Sequence, residues 1–322
     1  IYTIQHTLSL HDALPIFETV LVHFLDPEMW DVVADPDFSA RVHVWVHGSE
    51  VQPWWRREYN AASEEQLSSA KLASAARMAF WQEVFGNVPD HLDFVFVSRY
   101  FAEEVFEDVG IRLPESKYCI IHNPIDGDVF TYVPKALEQR HKVLSIRPYA
   151  SRKYANDLSV AAVLALAKEP FFGDLTFTFI GDGPMFDEVL APLRDLDNVA
   201  IERRFLTHAE IATLHKEHGI FLTPTRMDAQ GVSRDEAMAS GLVPVTSAVA
   251  AVPEFVDELC GIMAPAEDHL GLAAGIARIS GDPDLFARMS EAAARRVREQ
   301  SGTGVVITQE LALICGEATG EC

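Results

Sequence analysis

Short apolar runs rich in β-branched residues alternate with helix-like patterns along the second half of the chain. The runs are KVLSIR, LTFTFI, VAIE, IFLTP, VPVTS and GIM, the first of which begins at Lys142. Helical patterns follow them over 156–168, after Pro184, from Thr207, over 233–240, near Pro253 and over 268–279, and an amphipathic pattern over 284–300 closes the series. This alternation predicts a doubly wound parallel sheet.

The first half shows the same logic in a shorter form. ETVLVHFL, VHVWVHG and LDFVFVS read as strands, 64–84 and 99–108 as helices, and YCIIHNP leads into a polar connection around 134–139. We therefore expect an α/β protein of two Rossmann-like parallel-sheet domains: a truncated one with its linker at 17–139 and a second at 140–302, followed by a carboxyl-terminal tail at 303–322.

Composition narrows the class of protein. The chain has 322 residues, a formal charge of −22 and 48% hydrophobic residues, which is a soluble globular composition with material for two cores. Both halves are acidic, which argues against nucleic acid as a partner, and no apolar run approaches the roughly 18–20 residues of a membrane span. The four cysteines form no C-x-x-C pair, so a reducing, cytoplasmic setting is expected.

The first sixteen residues stand apart from the rest. The chain opens without methionine, and TLSLHDALPI (7–16) resembles one reading frame of a sequencing adapter. We interpret 1–16 as a translated artefact joined to a gene whose start is missing; the alternative is a native strand and loop.

The loops after the strands carry the candidate chemistry, because ligands of parallel sheets bind beyond the carboxyl ends of the strands. Arg147, Arg152 and Lys153 follow the first strand of the second domain, a cationic cluster suited to a diphosphate, or else ordinary surface charge. The turn with Gly181 and Gly183 follows the second strand, where glycines permit close approach of a ligand or simply a tight turn.

The loop after IFLTP is the most specific feature. Asp228 lies in the loop and Glu236 one turn into the next helix; between them Gly231 permits close backbone approach, and the N–H groups of Val232 and Ser233 open the helix. Two carboxylates flanking an anion site suit sugar hydroxyls on one side of a diphosphate and ribose hydroxyls on the other. The alternative is a turn-capping Asp228 and a solvated Glu236.

These residues carry a family resemblance. D-x7-E followed by AMASG-x-x-PV and Val252-Pro253-Glu254 is similar to the signature of retaining GT-B glycosyltransferases of the family 4 (group 1) type, and GDGP and IIHNPID-x-x-x-F resemble further segments of that family. The resemblance implies that Arg147 and Lys153 bind the donor diphosphate, Glu236 the ribose and Asp228 the donor sugar, with the N–H groups around Gly231 on the diphosphate. It also implies a GT-B fold, with a donor domain at 140–302 and an acceptor-side domain at 17–139.

Several positions depart from the family pattern. Asp228 stands where the family has Glu, and the spacing from Arg147 to Lys153 is one residue longer, so that Arg152 is an alternative to Lys153. Pro124 replaces a glycine, and no glycine precedes Glu254 at the usual place.

In the first domain, His47 ends a strand where the family commonly places a histidine facing the substrate, so we expect it near the anomeric centre; the alternative is a satisfied loop histidine. A segment that mixes aromatic and cationic side chains follows, with Trp54, Trp55, Arg56 and Arg57. These side chains either bind a sugar or a phosphorylated acceptor, or they pack against the next helix. Ser98 matches a strand-end serine of the family, and we expect it to be structural.

The resemblance implies transfer of a sugar from a nucleotide-diphosphate sugar to a hydroxyl of a sugar or lipid-linked acceptor, with retention, in bacterial surface-polysaccharide or glycoconjugate synthesis. No cofactor and no obligatory metal are expected, and peripheral membrane contact stays open. The alternatives are a GT-B-like sugar-nucleotide epimerase and an inactive nucleotide-sugar-binding fragment.

Overall fold

The computed structural model describes residues 18–61 and 63–316, so the interpretation of 1–16 lies outside the described residues. The chain divides into two compact units. Within the described part, one unit comprises residues up to His122 together with those from Val306 onward, and the other comprises Asn123–Val305. Each is an α/β unit with its own parallel sheet.

The first unit contains four parallel strands in the order β1-β2-β3-β4. The strands are β1 (Thr19–His23), β2 (Arg41–Val46), β3 (Leu92–Phe96) and β4 (Tyr118–Ile120), and the helices between them are α1 (Pro27–Val33), α2 (Glu64–Gly86) and α3 (Arg99–Val109). Short 3₁₀ helices lie at Trp54–Asn60 and Glu115–Lys117. The predicted strands and the two predicted helices are confirmed.

Aromatic packing forms the core of this unit. Trp81 of α2 is buried against Phe85 and against Phe94 of β3, and its indole N–H donates to the Glu50 carbonyl at 2.7 Å. Apolar side chains on both faces of β3 are buried, as expected of a parallel strand covered on two sides. Ser98 begins α3 by accepting a hydrogen bond from the Phe101 N–H at 3.2 Å, which is a structural role.

The second unit contains six parallel strands in the order β10-β9-β8-β5-β6-β7. The strands are β5 (Lys142–Ile146), β6 (Thr176–Gly181), β7 (Val199–Arg203), β8 (Ile220–Leu222), β9 (Val243–Ser247) and β10 (Ile262–Ala264). The helices are α4 (Asn156–Leu166), α5 (Phe186–Leu190), α6 (His208–Glu217), α7 (Val232–Ala239), α8 (Val252–Phe255), α9 (His269–Gly281) and α10 (Pro283–Gln300), with 3₁₀ helices at Leu137–His141, Arg152–Tyr154, Phe172–Asp174 and Ala191–Leu193.

This strand order has one topological switch point. From β5 the chain adds β6 and β7 on one side, and then returns to place β8, β9 and β10 on the other. β5 and β8 are therefore neighbours, with Val143 opposite Ile220 and Leu144 opposite Phe221. In open parallel sheets, ligands bind beyond the carboxyl ends of the strands at such a point. The loops after β5 and β8 thus mark the candidate site.

The last helix, α11 (Thr303–Cys315), lies within the residues that the sequence analysis assigned to a tail. From Val306 onward it belongs to the first unit, where Val306 packs with Trp45, Val95 and Ile121. The sequence of α11 continues no alternation of strands and helices. The position of this helix in the fold could therefore not be predicted from the local pattern. Of the helices described, none is both long and apolar enough to span a membrane.

Candidate functional site

Arg147 lies immediately beyond β5, at the switch point, and its side chain is buried. One terminal nitrogen donates to the Ser233 hydroxyl at 3.3 Å and the other to the Pro224 carbonyl at 3.4 Å, both long bonds. Its Nε is also buried and has no hydrogen-bond partner among the residues described. Burial lowers the pKa of Arg147, and Asp228 opposes this shift. The site therefore contains a buried, incompletely satisfied guanidinium, which suits an anionic ligand.

Lys153 approaches the same place through Tyr154. The ring of Tyr154 has its centre 5.0 Å from Cζ of Arg147 and 5.8 Å from Nζ of Lys153, so both cations converge on one aromatic ring. Arg152 is exposed, whereas Lys153 is half-buried. Of the two alternatives for the second cation, the geometry favours Lys153.

Gly231 forms the amino-terminal cap of α7 on the opposite side of the switch point. Its φ is +97°, a left-handed conformation, and a Cβ there would lie 2.7 Å from Nη1 of Arg234. Only glycine fits this turn without strain. The first N–H groups of α7, those of Val232 and Ser233, have no acceptor within the helix and are oriented along the positive end of its dipole.

The two carboxylates differ in environment. Asp228 is half-buried, and its Oδ1 accepts a hydrogen bond from the Gln230 N–H at 3.4 Å. Burial raises the pKa of Glu236 to about 7, and the neighbouring Asp235 adds to the rise. The Glu236 carboxyl has no hydrogen-bond partner within 18–61 and 63–316. A half-buried acceptor of this kind suits a ligand hydroxyl.

A buried polar network supports α7 from behind. Arg234 and Asp235 form an ion pair at 2.7 Å, with both side chains almost fully buried. Gln230 Nε2 donates to the other oxygen of Asp235 at 3.1 Å, and the Gln230 carbonyl accepts from Arg234. Burial raises the pKa of Asp235, and the Arg234 guanidinium opposes this shift. The network holds the loop and the first turn of α7 in one arrangement.

Gly181 ends β6 and Gly183 lies two residues further on, beside the loop after β5. A Cβ at Gly181 would be 1.9 Å from the Arg147 carbonyl oxygen, and one at Gly183 would be 2.4 Å from the carbonyl carbon of Tyr149. The Tyr149 N–H donates to the Asp182 carbonyl at 2.8 Å. These glycines therefore permit the turn at 181–183 to contact the backbone of the loop after β5. This contact fixes the course of the chain after Arg147.

His47 lies at the carboxyl end of β2 in the first unit, paired with His23 at the end of β1. Nε2 of His47 and Nδ1 of His23 are 2.8 Å apart, and Phe24 stacks on the His47 ring with centres 4.6 Å apart. Glu50 accepts hydrogen bonds from the N–H groups of His47 and Gly48. Burial lowers the pKa of both histidines, and His47 lowers that of His23 further. These shifts favour the neutral form of both imidazoles.

The tryptophan and arginine segment serves mainly to pack the first unit. Trp54 lies against α2, where Lys71 Nζ is 4.5 Å from its ring centre, and Arg56 binds both oxygens of Asp108 on α3. Trp55 remains 47% exposed. The packing alternative therefore describes Trp54 and Arg56, whereas Trp55 is the more exposed ring of the two tryptophans.

The structure brings Arg147, Lys153, Asp228 and Gly231 to one end of one sheet in the second unit, and it places His47 in the first unit. Sequence reasoning missed Tyr154, Gln230, Arg226 and His23. The signal for His23 was available, because it ends a strand just as His47 does. Gln230 and Arg226 gave no local signal, since their partners lie 107 and 69 residues away. No group of three or more described His, Cys, Asp or Glu side chains is placed to hold a metal ion.

Residues 140–282 match the protein-family model described as Glycosyl transferases group 1. The matched segment contains the switch-point loops and all six strands of the second sheet. Comparison with the curated proteins gives no match.

Solved structures show the same fold at low sequence identity. A variant of S. aureus TarM, in complex with fondaparinux, alpha-GlcNAc-glycerol and UDP, is 14% identical at a TM-score of 0.66, over 86% of this chain and 51% of that one. Sucrose-phosphate synthase from Thermosynechococcus elongatus is 17% identical at 0.73, over 95% and 75%. The pneumococcal O-GlcNAc transferase GtfA, in complex with UDP and GlcNAc, is 17% identical at 0.69, over 96% and 59%. The chain spans about half the length of TarM. The fold is GT-B, with two parallel-sheet α/β domains.

Proposed function

We propose, from the group 1 glycosyltransferase domain and the switch-point geometry, that this protein transfers a sugar from a nucleotide-diphosphate sugar to a hydroxyl acceptor with retention. One observation carries the proposal. A buried guanidinium with an unpaired Nε faces a glycine-capped helix amino terminus, and two carboxylates flank them. A diphosphate fits the guanidinium and the N–H groups, and hydroxyls fit the carboxylates.

Each residue then has a proposed role. Arg147, Lys153 and the N–H groups of Val232 and Ser233 bind the diphosphate and stabilise its charge as it leaves. Glu236 accepts hydrogen bonds from the ribose hydroxyls, and Asp228 from hydroxyls of the donor sugar. The acceptor hydroxyl oxygen bonds to the anomeric carbon on the face from which the diphosphate departs, and its proton passes to the departing diphosphate oxygen. The configuration is therefore retained. No metal is required by this arrangement.

The first unit is proposed to supply the acceptor side. Neutral His47 hydrogen-bonds the transferred sugar near its anomeric carbon. UDP appears in the TarM and GtfA structures, and alpha-GlcNAc-glycerol and GlcNAc accompany it there. We therefore propose a uridine nucleotide sugar as the first donor to test, with a sugar or lipid-linked hydroxyl as acceptor and surface-polysaccharide or glycoconjugate synthesis as the setting.

Two measurements on the whole chain test the proposal. Calorimetric titration with UDP and with GDP gives donor affinity, and release of nucleoside diphosphate from UDP-glucose or UDP-GlcNAc, with and without sugar acceptors, gives transfer. We expect Glu236→Ala and Arg147→Met each to weaken binding of the preferred nucleotide at least about tenfold, the loss typical of a charge-assisted contact. Arg204→Gln is the control, because its ion pairs with Glu202 and Glu210 are exposed.

The outcomes separate the alternatives. Sugar incorporation with the donor's anomeric configuration kept supports transfer, and inverted product overturns retention. Conversion of the free nucleotide sugar into its epimer overturns transfer itself. Unchanged nucleotide affinity in both Glu236→Ala and Arg147→Met overturns the site. Sugar transfer that persists in excess EDTA supports a metal-independent reaction. If EDTA abolishes transfer and Mg²⁺ restores it, metal independence is contradicted and the rest of the proposal stands.

A further inference from the structure

Arg226 lies in the loop after β8, two residues before Asp228, and uses all five N–H donors of its guanidinium. Its Nε donates to Glu267 at 2.8 Å, its Nη1 to Asp157 and to the Arg152 carbonyl at 2.9 Å each, and its Nη2 to Asp157 at 2.8 Å and Glu267 at 2.7 Å. Arginine has no further donor. Arg226 therefore has no hydrogen left to offer a substrate.

The three acceptors come from three different segments. Asp157 is in the first turn of α4, Arg152 begins the 3₁₀ helix Arg152–Tyr154, and Glu267 lies between β10 and α9. Glu267 has φ +58° and Ala155 has φ +46°, both in the left-handed region that non-glycine residues seldom adopt. Backbone strain of this kind persists only where surrounding contacts enforce it. Here the contacts include those that converge on Arg226.

The backbone of the same loop holds the next residue as well. The Lys153 carbonyl accepts from the Arg226 N–H at 2.8 Å and from the Thr225 hydroxyl at 3.1 Å. The carbonyls of Arg152 and Lys153 are thus both bound by residues 225–226. The turn that carries Lys153 and Tyr154 is fastened to the loop that carries Asp228.

We propose that Arg226 is a positioning residue that fixes Lys153 against the loop of Asp228, so that Lys153 and Arg147 converge on the donor diphosphate through their shared contact with Tyr154. This inference rests on the proposed function. It assigns to Arg226 an effect on diphosphate binding without contact with the donor.

Unfolding measurements separate this role from one in stability alone. The Arg226 side chain is 15% exposed, and its partners Asp157 and Glu267 are 55% and 58% exposed. Single exposed ion pairs contribute little to the free energy of unfolding, but bidentate pairs joined in a network are the exception. Urea unfolding of Arg226→Gln therefore accompanies the binding measurements, and a loss of UDP affinity in a folded variant is a result that a role in stability alone does not give.

The test is a double-mutant cycle on the full chain, with UDP and uridine as calorimetric probes. We expect Arg226→Gln to weaken UDP binding about tenfold, comparable to loss of one charge-assisted contact, and to leave uridine binding unchanged. In a Lys153→Met background, Arg226→Gln should add less than about twofold, because coupled residues are not additive. Arg226→Lys should not restore affinity, since an ammonium cannot bridge two carboxylates and a carbonyl in this planar geometry.

Matched variants keep the result interpretable. Arg204→Gln removes an exposed arginine with two carboxylate partners elsewhere in the same unit and should leave both affinities unchanged. Glu267→Gln weakens the same cluster while Arg226 remains, and should give a smaller loss of UDP affinity in the same direction. If Arg226→Gln does not fold, Glu267→Gln replaces it as the variant that tests the inference.

Each outcome decides something. Additive losses in the cycle, or equal losses for UDP and uridine, mean that Arg226 acts on folding in general and overturn the inference. If Lys153→Met weakens UDP binding and Arg226→Gln does not, the inference about Arg226 is overturned and the proposed function stands. If neither Lys153→Met nor Glu236→Ala alters UDP affinity, the proposed function fails, and the positioning role fails with it.

Discussion

The side-chain amide of Gln230 pairs with both backbone polar groups of Asn123. The Asn123 N–H donates to Oε1 at 2.6 Å, and Nε2 donates to the Asn123 carbonyl at 3.1 Å. The same Nε2 donates to Asp235 at 3.1 Å. One buried amide thereby joins the segment that opens the second unit to the loop and helix of the candidate site.

We predict that Gln230→Ala destabilises the protein by about 2–4 kcal/mol, because it removes the hydrogen-bond partner of both Asn123 backbone groups and of one oxygen of the buried Asp235 carboxylate, whose other oxygen keeps its ion pair with Arg234. Urea unfolding measures the change. Gln300→Ala is the control, since that amide donates to the Glu254 carbonyl at 3.1 Å and its loss should cost about 1 kcal/mol. Equal losses in the two variants would contradict the network's role.

Gly183→Ala should destabilise the protein by about 3 kcal/mol or more. The added Cβ would meet the Tyr149 backbone at 2.4 Å, and the φ of +148° is unfavourable for alanine. Gly173→Ala is the matched control in the same unit, because a Cβ there meets nothing within 4 Å and should change the free energy of unfolding by less than about 0.5 kcal/mol. Thermal unfolding of both variants checks the difference, and a stable Gly183→Ala protein would show that this turn tolerates displacement.

Glu236 should make stability depend on pH. Its pKa is raised to about 7 in the folded protein from an ordinary value near 4.5, so the folded state binds the extra proton between these values. Stability contributed by the protonated form is therefore lost as the pH rises from about 4.5 to about 7. Because the carboxyl is only partly buried, we expect Glu236→Gln to be more stable by about 1 kcal/mol at pH 8 and nearly unchanged at pH 4.

The same carboxyl should couple pH to ligand binding. If hydroxyls of the nucleotide bind the ionised form, UDP affinity of the parent protein should fall between pH 8 and pH 6 more steeply than that of Glu236→Gln. The variant is the control for titration of the diphosphate itself. Parallel pH profiles for the two proteins would argue against a contact between Glu236 and the ligand.

His43 should make the first unit labile to acid. It lies in β2, and both ring nitrogens are buried without a hydrogen-bond partner among the described residues. Burial lowers its pKa to about 4, and Arg41 contributes to the decrease. The unfolded chain takes up this proton near pH 6.5, so stability present at neutral pH is lost as the pH falls from about 6.5 to about 4. We expect a decrease of about 3 kcal/mol over this range.

His43→Leu should remove that part of the pH dependence, and the exposed His208→Asn should retain it. Chemical unfolding at pH 7, 5.5 and 4.5 compares the three proteins. An identical pH dependence in His43→Leu and the parent would show that another group is responsible.

Much of the fold follows from local pattern in the sequence. Apolar runs of strand length alternate with helix-period segments, which is enough to predict parallel sheets, and the predicted helix at 99–108 is observed as Arg99–Val109. The helix predicted over 284–300 is observed as Pro283–Gln300. The starts of these helices carry local signals, such as Ser98 before the first and the Asp282-Pro283 pair at the second.

The ends of the strands also indicate the candidate site from sequence alone. Arg147, Asp228 and Gly231 each come after a strand in the sequence, and the carboxyl ends of these strands share one edge of the sheet. The burial and hydrogen bonding of each side chain, however, depend on residues that are distant in the chain. Burial of Glu236, and hence its raised pKa, depends on what packs over α7.

The sequence by itself therefore determined the α/β class, the order of elements along the chain and the loops that carry candidate chemistry, because these depend on residues close together in the chain. The tertiary structure alone decided that β5 lies beside β8, that Arg226 holds the turn of Lys153, that Gln230 binds Asn123 and that His23 pairs with His47. These relationships join segments separated by 24 to 107 residues. Hydrogen bonds and desolvation act over a few ångströms in space, whatever the separation along the chain, so these partners meet only when the sheets and the loops between their strands are folded.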